Sequence, residues 1–226
     1  LLLKLKKKLF ISFAVIIALF LMNKFLSDLG IFKIIEIATT ANEPTLKQGT
    51  FIFSTNLLNP EKGDFVIYAQ HDQNLVSTFY MHRLCGTEGD IIEIKNSVLY
   101  VNDKNFDKNI NLKHIYELDV SAYRQLPNEI VSSPEIINLK INDSTYIISL
   151  EEDFVKDKHF KKRIESKPHE EIRTLFGEGW NRDNFGPVKV PIGKVFVLGD
   201  NRHNSNDSRY NGFVDKKDVR FRVLFK

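Results

Sequence analysis

The chain has 226 residues, 42% of them hydrophobic with 18 Phe, and a formal net charge of +3. That length suits one ordinary domain with an appendage, or two small ones. Lys4, Lys6, Lys7 and Lys8 carry the positive excess, so the remainder is near neutral and lacks the basic stripe of a nucleic-acid binder; a single cysteine, Cys85, excludes an internal disulfide and a multi-cysteine zinc site but not an extracytoplasmic location.

Leu1 stands where an initiator Met is usual, which leads to the expectation of a fragment or an unusual start codon. Residues 9–22 are apolar except for Ser12, and the run extends past Asn23 and Lys24 through Phe25 and Leu26. The uncharged core is shorter than the ~20 residues that cross a ~30 Å hydrocarbon layer, but lysines at its ends can snorkel. One transmembrane anchor over 9–26 is expected. A cleaved signal peptide, for which no small-x-small site follows Met22 closely, and a buried soluble helix are the alternatives. The lysines ahead of the helix place the basic tail, 1–8, in the cytoplasm and the rest outside.

Residues 31–37 form a β-branched run that ends in an irregular turn, 38–46. Strands are expected at 51–53, 65–69 and 79–84, followed by a hairpin of 91–94 and 98–101 across Lys95, Asn96 and Ser97. Closely spaced strands without intervening helices predict a mainly β, antiparallel domain over 31–102 and 180–226. Between them, 103–179 is charged, with loose helical spacing at Phe154, Phe160, Ile164, Ile172 and Leu175 and a strand at 146–150. This predicts a smaller inserted α/β lobe whose charge runs are solvated faces. Trp180 either binds a ligand or plugs the junction of the two lobes.

The apolar run 195–198 enters a polar stretch, Gly-Asp-Asn-Arg-His-Asn-Ser-Asn-Asp-Ser-Arg-Tyr-Asn-Gly at 199–212. Asp200, Arg202, Asp207 and Arg209 can form charge-assisted pairs there, as a braced site loop needs and a solvated turn does not. This stretch resembles the last motif of the type I signal peptidases, membrane-bound serine endopeptidases that remove signal peptides from exported proteins. Three further boxes fall in the same order. Residues 39–46 are similar to the nucleophile box, usually Ser-x-Ser-Met-x-Pro-Thr-Leu; 62–66 and 82–90 are similar to the next two, the latter usually Lys-Arg-Val-x-Gly-x-x-Gly-Asp.

The resemblance implies that a serine attacks the scissile carbonyl, a neutral lysine takes its proton, and hydroxyl and backbone donors hold the oxyanion. On this chain the nucleophile position is Ala41, the general-base position His82 and the oxyanion hydroxyl Thr39, with Arg83, Asp200, Ser205, Asp207 and Arg209 as supporting residues. It implies no metal or cofactor, signal peptides of exported preproteins and the lipid bilayer as partners, and a single-pass cytoplasmic-membrane location. It also implies shallow pockets for Ala-like residues, with 51–53 and 65–66 lining the groove or, alternatively, serving as core strands.

Both departures, Ala41 and His82, fall on the chemistry, and Asn42 replaces the box's Met. The chain is therefore either a natural non-catalytic homologue that binds signal peptides or a membrane partner, an engineered Ser-to-Ala variant of an enzyme with a Ser and His pair, or an enzyme in which Thr40 or Thr39 works with His82. Glu43 and Glu88 read as solvated turn carboxylates, and the remaining histidines show no metal spacing.

Overall fold

A computed structural model describes residues 2–71, 77–133 and 136–225. The N-terminal apolar run forms α1 (Leu2–Asp28), a helix of 27 residues. Its apolar side chains are exposed on every side, from Phe10 at 73% to Phe20 at 67%. Among the described residues no helix is long and apolar enough to cross a membrane.

The chain then enters β1 (Phe32–Glu36), β2 (Phe51–Thr55), β3 (Phe65–His71) and β4 (Ser77–Thr87). Next come β5 (Ile91–Lys95), β6 (Val98–Val101) and β7 (Lys104–Asn105). Asn96 and Ser97 both have positive φ, 50° and 66°, so the β5–β6 hairpin closes on the two-residue turn whose twist matches the strands. β8 (Lys113–Asp119), α2 (Val120–Arg124), α3 (Asn128–Val131), β9 (Asn138–Lys140), β10 (Thr145–Glu151), α4 (Glu152–Val155) and β11 (Lys161–Lys162) follow. The chain closes with α5 (Glu170–Phe176), β12 (Phe185–Lys189), β13 (Lys194–Leu198), α6 (Ser208–Asn211), β14 (Val214–Asp215) and β15 (Val219–Phe225).

The described residues form three sheets, all with antiparallel pairs: a seven-stranded one in the order β1-β2-β15-β3-β4-β13-β14, and two four-stranded ones, β11-β8-β10-β9 and β12-β5-β6-β7. The large sheet is apolar on both faces at its centre because side chains alternate along a strand. Val195 and Val197 join Val66, Tyr68 and Leu84 in one core, while Phe196 and Leu198 join Cys85, Ile92, Leu99 and Phe185 in another. Phe65 and Ile67 turn to a third core with Ile37, Leu46 and Ile52.

The second sheet is built only from residues 113–162 and has its own core of Tyr116, Leu118, Ile148 and Leu150. Residues 113–119, a charged stretch with scattered apolar residues, form a strand because the full length of β10 pairs with them from Thr145 opposite Asp119 to Glu151 opposite Lys113. Ile172 of α5 packs instead into the core of Phe185 and Phe196. Trp180 closes that core with its ring 4.9 Å from Phe185, which favours the plug over the ligand-binding role.

Phe51 and Phe53 do not line the groove described below. They project outward, 62% and 45% exposed, while Ile52 between them is buried. Phe65 and Val66 are core residues of β3.

Candidate functional site

The turn after β1 is tied closely to the polar loop. The Glu43 amide donates to the Thr40 carbonyl at 3.1 Å and the Leu46 amide to the Asn42 carbonyl at 2.9 Å. The Asn201 amide donates to the Ala41 carbonyl at 3.0 Å, its side chain donates to the Thr40 carbonyl at 3.1 Å, and the Asn204 carboxamide donates to the Thr40 hydroxyl at 3.0 Å. Gly199 permits this approach. A Cβ there would collide with the Ser205 side chain and the Ala41 carbonyl oxygen.

Three bidentate ion pairs hold the loop, and only one joins neighbours in sequence. Arg209 grips Asp207 at 2.9 and 2.8 Å and also donates to the Arg202 and Arg182 carbonyls. Arg83 grips Asp200 through Nε at 2.8 Å and Nη2, with the Thr45 hydroxyl donating to the same carboxylate. Arg202 reaches Asp107 at 2.7 and 2.6 Å. Burial alone would raise the Asp207 pKa, but the Arg209 charge and hydrogen bonds hold it below the usual carboxylate value. Such buried pairs fix geometry more surely than they add stability.

A fourth pair was not visible in the sequence. Lys113, the first residue of β8, donates to Glu43 at 2.7 Å with both side chains 7% exposed. Glu43 is therefore a buried, paired carboxylate, contrary to its reading as a solvated one. Their 70-residue separation carries no local signal. Backbone bonds reinforce the contact, since the Lys113 amide donates to the Asp200 carbonyl and the Arg202 amide to the Lys113 carbonyl, each at 3.0 Å.

One groove of about 1030 Å³ gathers Thr39, Thr40, Ala41, Asn42, His82 and Ser205. Its floor includes Ile67, Met81 and Phe221, and Lys33, Glu36, His169 and Glu171 add its charged and polar margin. Arg83, Asp200, Asp207 and Arg209 do not line it; they brace its walls from behind. The Ser205 hydroxyl oxygen is buried and has no hydrogen-bond partner among the described residues.

His82 is 3% exposed, and its Nδ1 lies 2.9 Å from the Tyr68 hydroxyl. Burial lowers its pKa to about 4, against the opposing attraction of Asp207, so the ring is neutral at pH 7. Burial, reinforced by Asp207, raises the Tyr68 pKa, so the phenol keeps its proton.

Two strand edges also meet the groove. Among the described residues β1 is the terminal strand of its sheet and pairs only with β2. Residues 77–82 of β4 pair with β3 on one edge, whereas β13 takes the other edge only from Arg83 onward. Both unpaired stretches contribute lining residues. Among the described residues, no cluster of three or more His, Cys, Asp and Glu is placed to hold a metal ion.

A family model described as signal peptidase, peptidase S26, matches residues 7–226. The chain is 26% identical to signal peptidase I of Buchnera aphidicola subsp. Baizongia pistaciae, over 94% of this chain and 73% of that protein. It is 28% identical to signal peptidase I P of Bacillus subtilis subsp. natto, over 91% of this chain and 81% of that protein. A crystal structure of a signal peptidase I from Enterococcus faecalis V583 aligns with 75% of this chain and 99% of its own, at 22% identity and a TM-score of 0.37.

Proposed function

The chain belongs to the signal peptidase family, peptidase S26, whose members cleave signal peptides, and we propose that this member holds such peptides without cutting them. The observation that carries the proposal is Ala41. It lies in the groove at the nucleophile position, and a methyl group has no lone pair with which to attack a carbonyl. Around it the binding parts persist: an apolar floor, the Thr39 hydroxyl, and two free strand edges that offer main-chain hydrogen bonds to an extended peptide.

His82 supports the same reading. We assign the Tyr68 hydroxyl as donor to Nδ1, which leaves the ring proton on Nε2. A ring in that tautomer, with a pKa of about 4, is a weak base for any nearby hydroxyl at neutral pH. The remaining assignments follow as parts of the proposal: Thr39 as a donor to the bound carbonyl, Arg83, Asp200, Asp207 and Arg209 as the brace, and 103–179 as an inserted lobe. The exposed apolar side chains that surround α1 from Leu9 to Met22, behind a lysine-rich start, support a seat in the lipid bilayer with the β domain on the extracytoplasmic side.

One observation favours a second reading. The Thr40 hydroxyl lines the groove and accepts from Asn204, so its own proton, which meets no acceptor among the described residues, can leave toward a base. In that reading the chain cuts, and Thr40→Val stops it.

The test is anisotropy of a fluorescent signal peptide with an Ala-x-Ala site, titrated with the full chain in detergent and followed by mass spectrometry of the peptide. Saturable binding, displaced by unlabelled peptide and leaving the peptide intact, is expected. Recovery of peptide cut after the Ala-x-Ala site overturns the proposal.

A further inference from the structure

The Asn42 carboxamide is split between one bond that is made and one that is not. Nδ2 donates to the Met81 carbonyl at 2.7 Å, while Oδ1 is buried with no hydrogen-bond partner among the described residues. The orientation of the amide is fixed by chemistry, because a carbonyl oxygen only accepts and so requires the nitrogen to face it. Asn42 is 1% exposed and lines the groove beside Ala41. A buried acceptor left unpaired is costly, and in native proteins it commonly marks the place of an absent partner.

The strand register shows which edge Asn42 occupies. Leu84 exchanges both of its backbone bonds with Gly63 and Asp64, on the β3 side. In an antiparallel ladder these directions alternate, so the backbone groups of Met81, an odd number of residues away, point to the opposite edge. That is the edge left unpaired along 77–82 and turned to the groove. Asn42 therefore fills the hydrogen-bonding slot at Met81 that an added strand would use.

We propose that Asn42 reads the main chain of the bound peptide: Oδ1 accepts one backbone N–H of the ligand, and the carboxamide bridges that N–H to the Met81 carbonyl. The proposal rests on the peptide-holding function above and deepens it. The bridge keeps the ligand one side chain away from β4 at this point while leaving the Phe79 backbone free to pair directly. Because Asn42 adjoins Ala41, the N–H that it reads belongs to a residue near the Ala-x-Ala end of the signal peptide.

A backbone N-methyl scan separates this role from simple packing. Labelled Ala-x-Ala signal peptides, each with one N–H replaced by N–CH3, are titrated into the full native chain and into Asn42→Met, Asn42→Ser and Asn42→Asp. In the native chain one methyl position weakens binding by roughly tenfold, the scale of one buried hydrogen bond. Asn42→Met and Asn42→Ser bind the unmodified peptide more weakly and lose the penalty at that position alone. Asn42→Asp, assayed at a pH where its carboxyl is protonated and can both donate to the Met81 carbonyl and accept from the ligand, retains the penalty. Methyl penalties that are the same at every position in native, Met and Ser proteins overturn the inference, with Oδ1 then facing water, while leaving peptide binding intact. Absence of any peptide binding by the native chain overturns both the inference and the function on which it rests.

Discussion

Lys113→Met tests how the turn that carries Ala41 is held in place. The substitution keeps the aliphatic bulk but removes the ammonium 2.7 Å from Glu43, leaving a carboxylate 7% exposed without its cation. Breaking a buried pair from one side costs about 3–5 kcal/mol, because the remaining charge stays desolvated. With a urea slope of about 2 kcal/mol per molar, a loss of about 3 kcal/mol moves the unfolding midpoint down by about 1.5 M. Glu43→Gln with Lys113→Met removes both charges and recovers most of that loss. The assay is urea unfolding followed by tyrosine and tryptophan fluorescence for the four proteins of the cycle. A Lys113→Met midpoint within about 0.3 M of the native value would refute the reasoning, since it would mean that the pair is already solvated.

Acid should weaken the fold well above the carboxylate range. His82 and His114 are neutral in the folded chain, lowered by burial from 6.5 to about 4 and about 3. The unfolded chain takes up protons first, so stability is full above pH 6.5 and falls as pH drops, through about pH 4 for His82 and about pH 3 for His114. Burial also lowers the His203 pKa, so three histidines, each contributing roughly 1.4 kcal/mol per pH unit, should make urea midpoints drop between pH 7 and pH 5, and His114→Phe should remove about a third of the slope. An unchanged slope in His114→Phe would exclude that residue as a source. Gly199→Ala forces a methyl group between the Ser205 side chain and the Ala41 carbonyl; a loss of about 1–3 kcal/mol and weaker peptide binding are expected from thermal melts and anisotropy, and native-like values would show that the loop yields freely.

The strands and the β5–β6 hairpin were legible because alternation and turn residues are local signals. The polar loop also announced its charges, yet of its two acids and two arginines only Asp207 and Arg209 pair with each other; Asp200 takes Arg83 and Arg202 takes Asp107. Partner choice is a tertiary property, and sequence separations of 95 and 117 residues leave no local trace. The same limit hid the burial of Glu43 by Lys113. At 113–119 the charged residues carried no clear local signal, and the strand there is set by its pairing with β10. At 51–53 the sequence left a groove lining and a core strand open, because period-two alternation does not reveal which face is open. Ala41, Thr39, His82 and Ser205, spread over more than 160 residues of chain, do meet in one groove.

The most direct measurement is cleavage of an Ala-x-Ala preprotein in detergent by the native chain, by Ala41→Ser, and by Ala41→Ser combined with His82→Lys. The account predicts no cut product from the native chain, and cleavage by the double variant, in which a hydroxyl and a primary amine replace the methyl group and the weak imidazole base. Cleavage by the native chain that is lost in Thr40→Val would contradict it.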